Sequence, residues 1–118
     1  MTRSDPQALL PLTPAVLHIL IALADGERHG YAIAQDVEDA TAGQIRMGPG
    51  TLYGSIQRML TASLIEEAPH RASDDDERRR YYRLTTHGKR ALALELQRLA
   101  DVVQLARSKQ LLRGQGLA

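Results

Sequence analysis

Three short stretches of helical periodicity, each with its own start and stop signals, precede two strand-like segments and one long unbroken apolar pattern. That order narrows the folds open to the chain more than any property of its composition. Thr13 followed by Pro14 opens the first helix, since a threonine hydroxyl can accept an orphan amide and proline at the first helical position loses no needed donor. Val16, Leu17, Ile19, Leu20 and Leu23 then recur at helical spacing up to Gly26. The short connection Asp25–His29 leads to a second helix expected over Gly30–Ala42, with Tyr31, Ala34 and Val37 inward and Gly43 as its stop. Gln44–Met47 fits a brief strand. Gly48-Pro49 opens the third helix, with glycine as cap and proline at the first position.

In this third helix Leu52, Ile56, Met59 and Leu60 follow the i, i+4, i+7, i+8 rule and face the core. The opposite face carries Gly50, Thr51, Gly54, Gln57, Arg58 and Thr61. Small residues let a helix approach a groove closely, and Gln and Arg can make paired hydrogen bonds to adenine and guanine edges. Read alone, the same face also suits an ordinary solvated surface. Leu64–Glu67 and Arg80–Leu84 read as two strands around the turn-prone Pro69–Glu77. Helix, short connection, helix, longer connection, helix and hairpin is the order of a winged helix-turn-helix, a mainly α fold with a small β-hairpin. The hairpin loop is then the wing, where Arg71, Arg78, Arg79 and Arg80 can meet phosphates or a minor groove.

Charge is segregated along the chain. Up to Glu77 there are five Lys/Arg against twelve Asp/Glu, and from Arg78 onward ten against two, which the overall net charge of +1 conceals. A basic surface within an otherwise acidic small protein fits a polyanion, and nucleic acid better than an anionic membrane or a small substrate. Solvated charged surface is the plainer reading of such a run.

Enzymatic chemistry finds little support. The chain has no cysteine, so disulfides, thiolate metal sites and cysteine nucleophiles are excluded together. His18, His29, His70 and His87 lack metal-ligand spacing, and Asp74-Asp75-Asp76-Glu77 lacks the alternation and central glycine of a calcium loop. No Gly-Lys-Ser/Thr follows Gly48-Pro49-Gly50, and Ser55, Ser63 and Ser73 have no triad context. We expect no enzyme, no metal and no cofactor. No apolar run nears the roughly 20 residues that span a bilayer, and Met1–Pro11 lacks the pattern of a secretory signal, so a cytoplasmic protein without membrane association is expected.

Four ordered motifs support a family resemblance. Arg78-Arg79-Arg80-Tyr81-Tyr82-Arg83-Leu84-Thr85-Thr86-His87-Gly88-Lys89-Arg90-Ala91-Leu92 resembles the wing strand and following helix start of PadR-like transcriptional regulators. His29-Gly30-Tyr31-Ala32-Ile33 resembles that family's second-helix opening, Gly50-Thr51-Leu52-Tyr53 its recognition-helix signature, and Leu64-Ile65 its first wing strand. The resemblance spans about Leu12 to Leu112, and the single candidate helix after the wing is similar to the short subfamily. It implies a dimeric, usually repressing, DNA-binding protein that responds to a small apolar or phenolic ligand, and it adds Tyr53 to the DNA-facing residues. Ser63 stands where relatives commonly place glycine.

Thr86 to about Leu112 contains no proline and would reach roughly 40 Å as one helix at 1.5 Å per residue. Leu92, Leu96, Leu99, Val103 and Ala106 alternate steps of four and three, the spacing of a coiled-coil seam. Leu94, Val102 and Leu105 widen the stripe, so the helix is expected to cover itself with a second chain and with the first helix. The expected organisation is an N-terminal segment 1–12, a winged helix-turn-helix 13–85, a dimerisation helix 86–112 and a fraying tail 113–118. The partners are then double-stranded DNA with a pseudo-palindromic operator, and a second copy of the chain. The alternative is a winged helix used for protein association without DNA.

Overall fold

The computed structural model of the protein describes residues 5–69 and 80–112. A single 3-10 turn, Pro6–Leu9, leads into helix α1, Pro14–Leu23. The Thr13 hydroxyl caps α1 by accepting the Val16 amide at 3.2 Å, and Val16, Ile19, Leu20 and Leu23 form its buried stripe. Strand β1, Arg28–His29, runs directly into α2, Gly30–Ala40. His29 caps α2 with its own ring, Nδ1 accepting the Ala32 N–H at 3.2 Å.

Helix α3, Pro49–Thr61, has Gly48 as cap and buries Leu52, Ser55, Ile56 and Met59. It ends in a Schellman turn: the Leu64 amide donates to the Met59 carbonyl at 2.9 Å and the Ser63 amide to that of Leu60 at 3.1 Å. Ser63 carries the left-handed conformation the turn requires, with φ of +62°. The departure from glycine therefore leaves the turn's geometry intact.

Strands β2, Ile65–Glu67, and β3, Tyr81–Leu84, pair antiparallel with Glu66 opposite Arg83. The sheet adds a strand to the expected hairpin, in the order β1-β3-β2, with Arg28 opposite Tyr82 and His29 opposite Tyr81. The strand expected at Gln44–Met47 does not form. Its alternation is real, with Ile45 and Met47 half-buried on the core, but the free edge of β3 is already taken by Arg28–His29.

Helix α4, Thr86–Ser108, is capped by the Thr85 hydroxyl, which accepts the Gly88 amide at 2.8 Å. The Thr85 amide in turn donates to the Leu64 carbonyl at 3.1 Å, tying the end of α3 to the start of α4. The helix turns out of register after Ser108, with Gln110 at φ of +63°, short of the expected Leu112. All its buried residues lie between His87 and Glu95. Leu92, expected in the seam with a partner, is only 7% exposed and belongs to this chain's own core with Leu20, Ile33, Ile56 and Leu64. It lies about two turns beyond the cap, within the part of α4 that the domain buries.

The N-terminal residues are fastened to α4 as well. The Glu95 side chain, 1% exposed, accepts the Leu12 amide at 2.8 Å and a 2.5 Å hydrogen bond from Arg98 Nε. The Arg98 bond holds the carboxyl below its usual range, with help from Leu12 and against the cost of burial. Because the folded pKa is depressed, the stability this gives is fully present above the unfolded value of about 4.3 and is lost as pH falls through the folded value. Glu95→Gln should therefore lower the Tm at pH 7, and the gap to the unaltered protein should close below about pH 4. Scanning calorimetry across pH 3–7 measures both.

Candidate nucleic-acid interface

The outward face of α3 carries the groups read from the sequence. Gly50, Thr51, Gln57, Arg58 and Thr61 are exposed, Gly54 is half-buried, and Tyr53 is 51% exposed. A Cβ placed on Gly48 or Gly50 would meet no atom within 4 Å, so the glycine-bearing side of the first turn stands clear of the rest of the chain. Nothing on that turn stops a groove wall from coming close. Further along, Arg58 Nη2 donates to the Ser55 hydroxyl at 3.1 Å, one turn back, although the residue as a whole is exposed. Ser55 itself is fully buried, so it anchors the arginine from the core side.

The sheet contributes Arg80, whose side chain is 71% exposed and 4.0 Å from Glu67 on the neighbouring strand. Arg71, Arg78 and Arg79 lie outside the described residues. Arg83, part of the same basic run, faces two carboxylates instead: its Nε is 2.8 Å from Glu66 and its Nη1 is 3.6 Å from Glu27. The Glu66 hydrogen bond raises the Arg83 pKa further, so its charge is permanent but largely answered within the fold. Tyr82 is buried between these pairs, and burial, then Glu67, pushes its phenol up. It serves as core and supplies no acid or base near neutral pH.

Tyr31 was expected inward and is 71% exposed. The buried stripe of α2 is Gly30, Ile33 and Val37, so the helix is rotated from the phase set by Tyr31, Ala34 and Val37. The signal was present in the sequence, since Ile33 and Val37 stand four apart and are the large aliphatic residues of α2. Tyr31 stacks on His29 at 6.4 Å, and His29 meets Tyr81 edge-on at 5.4 Å, so the tyrosine marks where α2 and the sheet join. Tyr53 is close by: a Cβ on Gly30 would lie 2.6 Å from its hydroxyl. Two tyrosines from different helices thus stand beside the open start of α3.

On α4, Leu96, Val102, Val103 and Leu105 are exposed at 43%, 51%, 39% and 57%, and Leu99 and Ala106 are half-buried. No group of three or more metal-ligating side chains occurs among the described residues. No described helix is long and apolar enough to cross a membrane.

Comparison with known proteins identifies the fold and the family. An uncharacterized 37.1 kDa protein in transposon TN4556 of Streptomyces fradiae is 36% identical over 86 residues, which is 73% of this chain and 23% of that protein. The chain thus spans about a quarter of that relative's length. Uncharacterized protein X of Lysinibacillus sphaericus is 31% identical over 87 residues, 74% of this chain and 79% of that one. Among solved structures, a PadR family transcription regulator from Clostridium difficile R20291 superposes with a TM-score of 0.70 at 23% identity, covering 83% of this chain and 99% of the other. The fold is thus the winged helix of that protein. The model of the transcriptional regulator PadR-like family matches residues 16–94, from α1 into α4, and the chain belongs to that family.

Proposed function

We propose that the protein is a sequence-specific DNA-binding transcriptional regulator of the cytoplasm, a dimer that represses and is relieved by a small ligand. The observation that carries the DNA reading is the exposed face of α3, small over its first turn and bearing Gln57 and Arg58 further on. An α-helix of that shape fits the major groove, where arginine pairs bidentately with guanine and glutamine with adenine. Gly50, Thr51, Tyr53, Gln57, Arg58 and Thr61 face the bases and nearby backbone in this reading, and Arg71, Arg78, Arg79 and Arg80 hold phosphates from the wing. Leu96, Leu99, Val103 and Ala106 form the dimer seam, and Leu92 leaves that set for the core of its own chain.

Binding to DNA from upstream of the protein's own gene, followed by anisotropy at two salt concentrations, tests the reading directly. Arg58→Ala should cost about 1–3 kcal/mol on the specific site and much less on random duplex. Arg80→Ala should weaken both duplexes alike and reduce the salt slope by about one unit. Equal losses on the two duplexes for Arg58→Ala would make it a phosphate contact and pass base readout to Gln57. No binding to any duplex, with the protein folded, would favour a winged helix that docks on protein.

A further inference from the structure

The two exposed tyrosines stand at a cavity of about 320 Å³ between α2 and the start of α3. One face of α2 walls it, with Tyr31, Ala34, Gln35 and Glu38 at the i, i+3, i+4, i+7 spacing that lines up along a helix. Met47 and Leu52 add apolar wall from the α3 side, and Tyr53 lines the cavity together with Tyr31. The volume is at the small end of ligand sites, enough for one ring with a short substituent.

We propose that this cavity binds small aromatic or lipophilic organic cations. Its apolar lining and two phenol rings favour a ring or alkyl body, and tyrosine faces attract cations. The charge comes from Glu38, whose side chain is 41% exposed and whose partner Arg46 is at the long distance of 3.9 Å with 75% of its own side chain exposed. A pair that open is weak and readily yields to a cation held closer. The other acids of α2 are engaged elsewhere: Asp36 bonds to Arg28 at 2.7 Å, and Asp39 accepts from Gln35 at 3.1 Å. An anion entering here would surrender hydration and face Glu38, so phosphate and carboxylate ligands are disfavoured. The site is in the winged domain and separate from the exposed face of α4.

On the reading of α3 as the helix that enters DNA, an occupant beside Tyr53 also competes with DNA. Competition, unlike the site itself, rests on that reading. The full-length protein offers a direct readout, because its four tyrosines are unaccompanied by tryptophan and two of them border the cavity. Tyrosine fluorescence is titrated with benzyltrimethylammonium, benzyl alcohol and benzenesulfonate. The cation should give a saturable change and bind about fivefold or more tightly than the neutral ring, with the sulfonate weakest. Glu38→Gln should remove most of the preference for charge, and Ala34→Leu, which narrows the cavity, should weaken binding of the cation and the alcohol alike, with both variants keeping the circular dichroism of the unaltered protein. Equal affinity for cation and alcohol, or cation binding unchanged in Glu38→Gln, overturns the site. The titration decides this whether or not the protein binds DNA. In a parallel anisotropy experiment on bound duplex, release by the cation supports competition, whereas cation binding without release overturns competition and leaves the site standing.

Discussion

Leu99→Asp should convert the protein to single chains in light scattering while circular dichroism still reports a folded winged domain. The reason lies in where α4 stops being buried. Beyond Glu95 no described residue of the helix is buried, yet Leu96, Val102, Val103 and Leu105 remain exposed on it. Apolar surface concentrated on a projecting helix marks an interaction site, and in the proposed dimer a second copy would supply the matching stripe. Leu99 lies midway along that stripe, so a two-fold axis would bring two introduced carboxylates together in an apolar seam. Desolvation and like-charge repulsion both oppose this. Operator affinity should fall by about 10³ or more towards the non-specific level, because only a fixed dimer sets two recognition helices about 34–36 Å apart. A variant that stays dimeric and binds normally would remove the seam and leave this face of α4 for another partner.

The second large effect is expected at Gly88, in the first turn of α4. A Cβ there would lie 1.9 Å from the Leu64 carbonyl oxygen and 2.8 Å from its carbon, and both are backbone atoms. That carbonyl also accepts the Thr85 amide, so retreat would break the connection between α3 and α4. Gly88→Ala should cost about 3 kcal/mol or more despite alanine's higher helix propensity. For a domain of this size the Tm should drop by more than about 10 °C. Gly54→Ala serves as the control, since its Cβ would meet only Arg58 Nη1 at 3.6 Å, an ordinary contact. Alanine there should stabilise by about 0.5–1 kcal/mol. Equal Tm changes for the two variants would refute the close approach at Gly88.

The winged-helix architecture was legible because its helices advertise themselves locally. Thr13 and Pro14, Gly48 and Pro49, and the apolar stripes of α1 and α3 act over one or two turns, within reach of periodicity and capping rules. The outward face of α3 followed from the same phase. Four things were missed, three because they depend on residues distant in sequence and one, the phase of α2, although Ile33 and Val37 marked it. β1 is two residues long, too short for any alternation, and exists because β3 presents an edge beside His29. The rotation of α2 was decided by Ile33 and Val37 reaching the core, which turned Tyr31 outward.

Leu92 and Leu96 look alike in a heptad, but the body of the domain ends between them. One is covered by its own chain and the other is left exposed, a division that only the path of α4 over α1 could make. Glu95 reads as a solvated charge and is buried because the Leu12 amide and Arg98 converge on it. Local patterning therefore determined which segments are helices and which side of α3 is free. Tertiary contact decided which apolar and charged residues the domain keeps for itself, since burial depends on what lies opposite and a linear pattern carries no record of that.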